Sequence, residues 1–75
     1  MELESAKVIA AAIAVSVSGI GSSIGEGLIA TKAMEAIGRN PEIQEKIMPL
    51  IFITMAIVES VAIYGLIVAL IILFG

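Results

Sequence analysis

Two glutamates stand alone in long apolar stretches of this 75-residue chain, Glu26 within residues 8–31 and Glu59 within residues 47–75. A charged side chain at mid-bilayer costs ~2.5–3.5 kcal/mol on insertion scales, so a carboxyl kept there marks an ion or proton path unless it is only glue between helices. Ser60 and Tyr64 are four apart and set two hydroxyls on one helix face beside Glu59. Two carboxyls, two hydroxyls and a backbone carbonyl form an all-oxygen nest, which suits a hard monovalent cation or a proton. Plainer roles for the hydroxyls compete with this: Ser bonds back to its own helix, and Tyr favours the membrane interface.

The elements that must position these groups follow from composition. The chain is 60% hydrophobic but only 4% aromatic, and its mean hydropathy is +1.16. A soluble core would draw on more large aromatics and carry a more polar surface, so the apolar runs belong in a bilayer. The absence of Cys excludes a disulfide framework or thiol nucleophile, and the absence of His removes the commonest general base. Neither a lone hydrolytic enzyme nor an organic cofactor is expected on this inventory. A net charge of −3 with no clustered basic face gives no footprint for nucleic acid. Residues 1–5 carry Glu2 and Glu4, with Lys7 the nearest cation, which is not the basic start of a cleavable signal peptide. The first apolar segment is therefore expected to be retained.

Each apolar run exceeds the ~20 residues that cross a ~30 Å hydrocarbon core as a helix. Between them lie Lys32, Glu35, Arg39, Glu42, Glu45 and Lys46. Gly38 suits a helix C-cap, Asn40 a turn, and Pro41 the first position of a new helix. Pro49 removes one backbone hydrogen bond and is expected to bend the second helix near the membrane surface. The fold class is thus an all-α membrane protein, one transmembrane hairpin over residues 1–75. Its expected parts are a first helix over 6–38, a turn over 39–41 and a second helix over 42–74. At 1.5 Å per residue, Glu26 lies about 18 Å from the turn and Glu59 about 25 Å, a difference of about one helical turn. The two carboxyls can meet, within one hairpin or between neighbours. Lys32, Arg39 and Lys46 flank or occupy the turn, which places the turn on the cytoplasmic side of a cell inner membrane.

The first span is crowded with small residues. At about 100° per residue, Ala12, Ser16, Gly19, Ser23, Gly27 and Ala30 form one smooth ridge. Ala10, Ala14, Gly21 and Gly25 form another on roughly the opposite side, with bulky Ile13, Val17, Ile20 and Ile24 between them. Small ridges let membrane helices approach closely. Two opposed ridges need a neighbour on each side, and identical neighbours repeating head-to-tail close into a homo-oligomeric ring. On this packing a bulky residue at Gly25 blocks assembly, whereas Ile20→Leu is silent.

The stretch Gly19-Ile-Gly-Ser-Ser-Ile-Gly-Glu-Gly27, the turn Arg39-Asn40-Pro41, and Glu59-Ser60 with Tyr64 together resemble the c subunit of F-type ATP synthases, in order and separation over nearly the whole chain. The resemblance implies a ring with first helices inside and second helices outside, and Glu59 as the ion-carrying carboxyl. It implies that Arg39, Asn40 and Pro41 touch the central stalk, subunits gamma and epsilon, and that the ring runs against a stationary membrane subunit a bearing a fixed Arg. Gly19, Gly21, Ser23, Gly25 and Gly27 would be the ring-packing run, with Ser23 interrupting a regular glycine alternation and so leaving ring size open. Sodium-binding members are the nearer likeness: there a side chain at position 26, Glu59, Ser60, Tyr64 and the carbonyl of Ile57 would surround Na+. Glu26 stands where Gln is frequent, and the chain is similar to the subset with two carboxyls.

The implied mechanism rests on the cost of charge in lipid. Facing lipid, Glu59 must be neutralised by a proton or a bound cation; facing a fixed cation, it can release the ion. Alternating these surroundings couples ion flow to rotation, while ATP chemistry belongs to other chains. Na+ is the expected cargo, with H+ as the alternative. An ion-conducting proteolipid without a rotor would share the buried Glu but not need the Arg-Asn-Pro turn. A pore-forming hairpin would not place two carboxyls at matching depth, and V-type proteolipids are often fused duplications, for which this chain has no room.

Overall fold

The structure, a computed structural model, describes residues 2–75; Met1, where the expected single unit begins, lies outside them. Helix α1 spans Leu3–Arg39. Its start carries Glu4 and its last turn Arg39, each of the sign that complements the helix dipole. Helix α2 spans Gln44–Phe74 and folds back antiparallel to α1. A single 3-10 turn, Pro41–Ile43, joins the two, opened by Pro41 and closed by a 3.1 Å bond from the Ile43 N–H to the Asn40 carbonyl. Among the described residues there is no strand.

The connection differs from the expected turn over 39–41. Gly38 does not cap α1 but lies inside it, and the chain leaves the helix at Asn40, with φ −144° and ψ 84°. The cause is Pro41, whose ring clashes with a helical conformation at the residue before it. The turn therefore uses a proline to stop one helix and start the next, and no glycine among the described residues takes a positive φ. Pro49 sits inside α2 without ending it.

Both helices are long and apolar enough to cross a membrane. The 37 residues of α1 give about 55 Å of rise, in keeping with a molecule of 58 × 18 × 7 Å. Most of that length is clothed in exposed Ile, Leu, Val and Phe, including Ile13, Val17, Ile20, Phe52, Ile53 and Ile71. Apolar exposure on that scale is untenable in water and calls for lipid or further copies of the chain. The protein is a membrane protein.

The seam between the helices is built from small residues. On α1 it is lined by Ala11, Ala14, Ser18, Ser22, Gly25 and Ala33; on α2 by Ile51, Met55, Val58, Ala62, Gly65 and Ala69, spaced alternately four and three apart. That spacing averages 3.5 residues and keeps one narrow stripe facing the partner. Gly65 is the tightest point: a Cβ there would collide with Ser18 Oγ and lie 2.8 Å from the Ala14 carbonyl oxygen. The seam takes up half of the second expected ridge. Ala14 and Gly25 belong to the seam, since a Cβ on Gly25 would come 3.1 Å from Val58 Cγ1 of the same hairpin. The expectation that a bulky residue at Gly25 parts neighbouring first helices is corrected accordingly: its first collision is inside the hairpin.

Candidate ion site

Ser22, Gly25 and Val58 bring the two membrane carboxyls together. Val58 packs its side chain against Gly25 and receives a 3.2 Å hydrogen bond on its carbonyl from Ser22 Oγ. Gly25 precedes Glu26 and Val58 precedes Glu59, so the contact between the first pair sets the second pair side by side. The Glu26 and Glu59 carboxyls stand within hydrogen-bonding reach of each other. Two carboxyls this close are suited to share a proton or to grip a cation between them.

On α2, Ser60 Oγ donates to the Ile57 carbonyl at 2.5 Å. Ser60 thus bonds to its own helix, but the partner is one of the oxygens expected around the ion. The bond uses the hydroxyl proton and leaves the Ser60 lone pairs free to face a cation; the Ile57 carbonyl, which also accepts within the α2 ladder, has a lone pair to offer only when the Ser60 hydroxyl turns away. Tyr64 is 66% exposed, and no hydrogen bond among the described residues ties it to the carboxyls. Ser60 and Tyr64 sit about 100° and 140° around the helix from Glu59. One hairpin therefore assembles two half-sites, the Glu26–Glu59 pair and the Ile57–Ser60 pair, and does not close them on a single point. Among the described residues no group of three His, Cys, Asp or Glu side chains gathers as for a multivalent metal.

At the turn, Arg39, Asn40 and Pro41 are all exposed, and the neighbouring Lys32 pairs with Glu35 at 3.6 Å on the surface. Gly19, Gly21 and Gly27 have nothing within 4 Å of a would-be Cβ, and Ser23 is exposed. These four face away from α2 and are free to meet other copies.

A family model for the ATP synthase C subunit matches residues 9–72, which takes in both helices, the turn and both carboxyls. The chain belongs to the ATP synthase C subunit family. The ATP synthase c subunit of Chloroflexus aurantiacus is 42% identical over 73 residues, covering 97% of this chain and 96% of that protein. Its counterpart in a Cyanothece species is 44% identical over 74 residues, 99% of this chain and 90% of its own length. That of Gloeobacter violaceus is 47% identical over 70 residues, 93% of this chain and 85% of its own. Proteins of this family are ring-forming hairpins and non-catalytic, ion-translocating parts of the synthase rotor, and this chain takes that place.

Ser22, Val58 and Gly65 were not singled out from sequence as parts of the site or its frame. The signal was present in the alternating four-three spacing of α2, which places Val58 and Gly65 on one stripe. On α1, small residues on every side hid which of them faced the partner.

Ring contact by the first ridge has a direct consequence. Gly19→Leu is expected to leave the hairpin folded, since its Cβ position is open, and to lower the yield of closed rings sharply, because a bulky side chain there holds neighbours apart. Ile20→Leu, on the bulky stripe, is expected to match wild type. Imaging of detergent-extracted oligomers reads this out; rings of normal yield and diameter from Gly19→Leu exclude the ridge as a contact.

Proposed function

We propose that this rotor subunit carries Na+ on Glu59, through the membrane part of an F-type ATP synthase. The observation that carries the reading is the pairing of Glu26 with Glu59 inside the spans, beside an Ile57 carbonyl and Ser60 hydroxyl already 2.5 Å apart. A proton needs a carboxyl and one acceptor. A sodium ion needs several oxygens, and Glu26, Glu59, Ser60, Tyr64 and the Ile57 carbonyl supply them once a neighbouring hairpin brings its half-site alongside. The angular separation of the half-sites on α2 favours closure between copies.

Charge balance shapes the loaded state. Two anionic carboxyls with one Na+ would leave a net negative site in lipid, which is costly. One carboxyl keeps a proton and shares it with the other, as close like-charged pairs do. Na+ is then the exchanged ion, and the proton stays. Facing lipid, the site holds its ion; facing the fixed Arg of a stationary subunit a, Glu59 becomes tolerable as an anion and lets the ion go. The membrane potential supplies ~2.3 kcal/mol per elementary charge per 100 mV to this exchange. We place the turn on the cytoplasmic face of the cell inner membrane, where Arg39, Asn40 and Pro41 meet the gamma and epsilon subunits of the central stalk. Three of the four cations sit at that end, which supports the orientation.

Dicyclohexylcarbodiimide, which attacks protonated carboxyls in apolar surroundings, tests the ion. Labelling is expected on Glu59 before Glu42 or Glu45, and Na+ is expected to slow it in proportion to occupancy, most strongly at alkaline pH. Ser60→Ala is expected to weaken the protection by Na+ more than the labelling itself. Labelling of Glu59 that ignores Na+ over a wide range at alkaline pH makes the proton the coupling ion.

A further inference from the structure

The carboxyls meet only while α1 and α2 keep one register, and Val58 is where that register is held. Ser22 is 4% exposed, the one buried polar residue among those described. The other bonded hydroxyls turn back to their own helices: Ser16 to the Ala12 carbonyl, Ser18 to Ala14, Thr54 to Leu50 and Ser60 to Ile57. Ser22 alone among them bonds across the hairpin, to the carbonyl of Val58. Gly25, one turn along the same face, receives the Val58 side chain. Val58 is thus held at its carbonyl and at its side chain, directly before Glu59 in the chain.

We propose that Ser22 is a positioning residue of the ion site: its hydroxyl, by holding the Val58 carbonyl, fixes Glu59 of α2 beside Glu26 of α1. The inference rests on the reading of Glu59 as the ion carrier. A slip of one residue between the helices moves Glu59 by about 1.5 Å and turns it by about 100°, enough to part the carboxyls. The close approach of Gly65 to Ser18 and Ala14 opposes a slip two turns away; at Val58 itself the directional hold is the Ser22 hydrogen bond. A hydrogen bond has a fixed length and direction, and in lipid no water replaces it. Losing it need not unfold the hairpin. The Val58 carbonyl keeps its place in the α2 ladder and spends only its second lone pair on Ser22, so alanine at 22 orphans no backbone group.

The test is carbodiimide labelling of Glu59 in intact rings, followed against Na+ concentration and against pH, for wild type, Ser22→Ala and Ser18→Ala. Ser18→Ala removes a hydroxyl that bonds only within α1. In Ser22→Ala the half-protecting Na+ concentration is expected to rise about 3- to 10-fold, the effect of one neutral hydrogen bond. Its labelling rate without Na+ should change less than the half-protecting Na+ concentration does, because the carboxyl stays in apolar surroundings. Ser18→Ala is expected to follow wild type. If wild type responds to pH and not to Na+, the pH midpoint of labelling takes the place of the Na+ midpoint and must move in Ser22→Ala alone. Superposable Ser22→Ala and wild-type curves overturn the positioning role, as does an equal displacement in Ser18→Ala. Wild-type rings in which Glu59 takes no label overturn the ion-carrier reading itself and the role with it.

Discussion

Rings bearing Glu59→Gln are expected to assemble normally, to take up no carbodiimide at position 59, and to support no ion-driven ATP synthesis above background. Gln keeps the length and hydrogen-bonding capacity of Glu, so it can still reach Glu26. Assembly is not at stake, because position 59 is exposed on the hairpin and the seam depends on Ser22, Gly25, Val58 and Gly65. What the amide cannot do is alternate between a neutral loaded form in lipid and an anion beside a fixed cation. Glu26→Gln is expected to behave differently. It retains a carbonyl oxygen for the ion and relieves the surplus negative charge, so rotation-coupled synthesis persists while the Na+ dependence of labelling changes. Synthesis and labelling in reconstituted vesicles separate the two roles. Loss of synthesis in Glu26→Gln with its retention in Glu59→Gln reverses the assignment of carrier and partner.

The two spans and the presence of a tight connection between them were legible in the sequence because each rests on counting. A hydrocarbon core sets how many apolar residues a span needs, and a fixed rise per residue sets how far Glu26 and Glu59 lie from the turn. Rotation about the helix axis was less legible. In a soluble helix the polar face marks the outside, but α1 has no polar face, and small residues at Ala11, Ala14, Ser18, Gly21, Gly25 and Gly27 serve any neighbour equally well. Only contact with α2 shows that Ala14, Ser18, Ser22 and Gly25 belong to the hairpin, leaving Gly19, Gly21, Ser23 and Gly27 for other copies. The end of α1 was misplaced by one residue, from 38 to Arg39, because a glycine suited to a cap competed with a proline that enforces one. Tyr64 and Ser60 share a face of α2, as their spacing requires. Their hydroxyls do not meet the carboxyls within one hairpin, because both lie about 100–140° around α2 from Glu59.

Gly65 is expected to be the least replaceable glycine of the hairpin. A Cβ there meets Ser18 Oγ head-on, comes 2.7 Å from Ser18 Cβ and 2.8 Å from the Ala14 carbonyl oxygen. The hydroxyl can swing aside, but the carbonyl belongs to the α1 backbone and moves only with the helix. Overpacking of a close contact costs about 1–3 kcal/mol, and a β-branched side chain adds to it. Gly65→Val is therefore expected to splay the helices and lower the resistance of purified rings to heat and detergent. Gly65→Ala falls between, and combining it with Ser18→Gly is expected to recover part of the loss, since one of the two obstructions is gone. The Ala14 carbonyl remains, so recovery stays incomplete. Gly38 supplies the contrast: it also lies within a helix, yet nothing stands within 4 Å of its Cβ position. There alanine is expected to stabilise, by up to about 1 kcal/mol, through helix propensity alone. The same exchange, glycine to alanine, thus carries opposite signs at 65 and 38. Equal effects on ring dissociation temperature at the two positions would show that Gly65 is present for flexibility and not for the approach of Ser18 and Ala14.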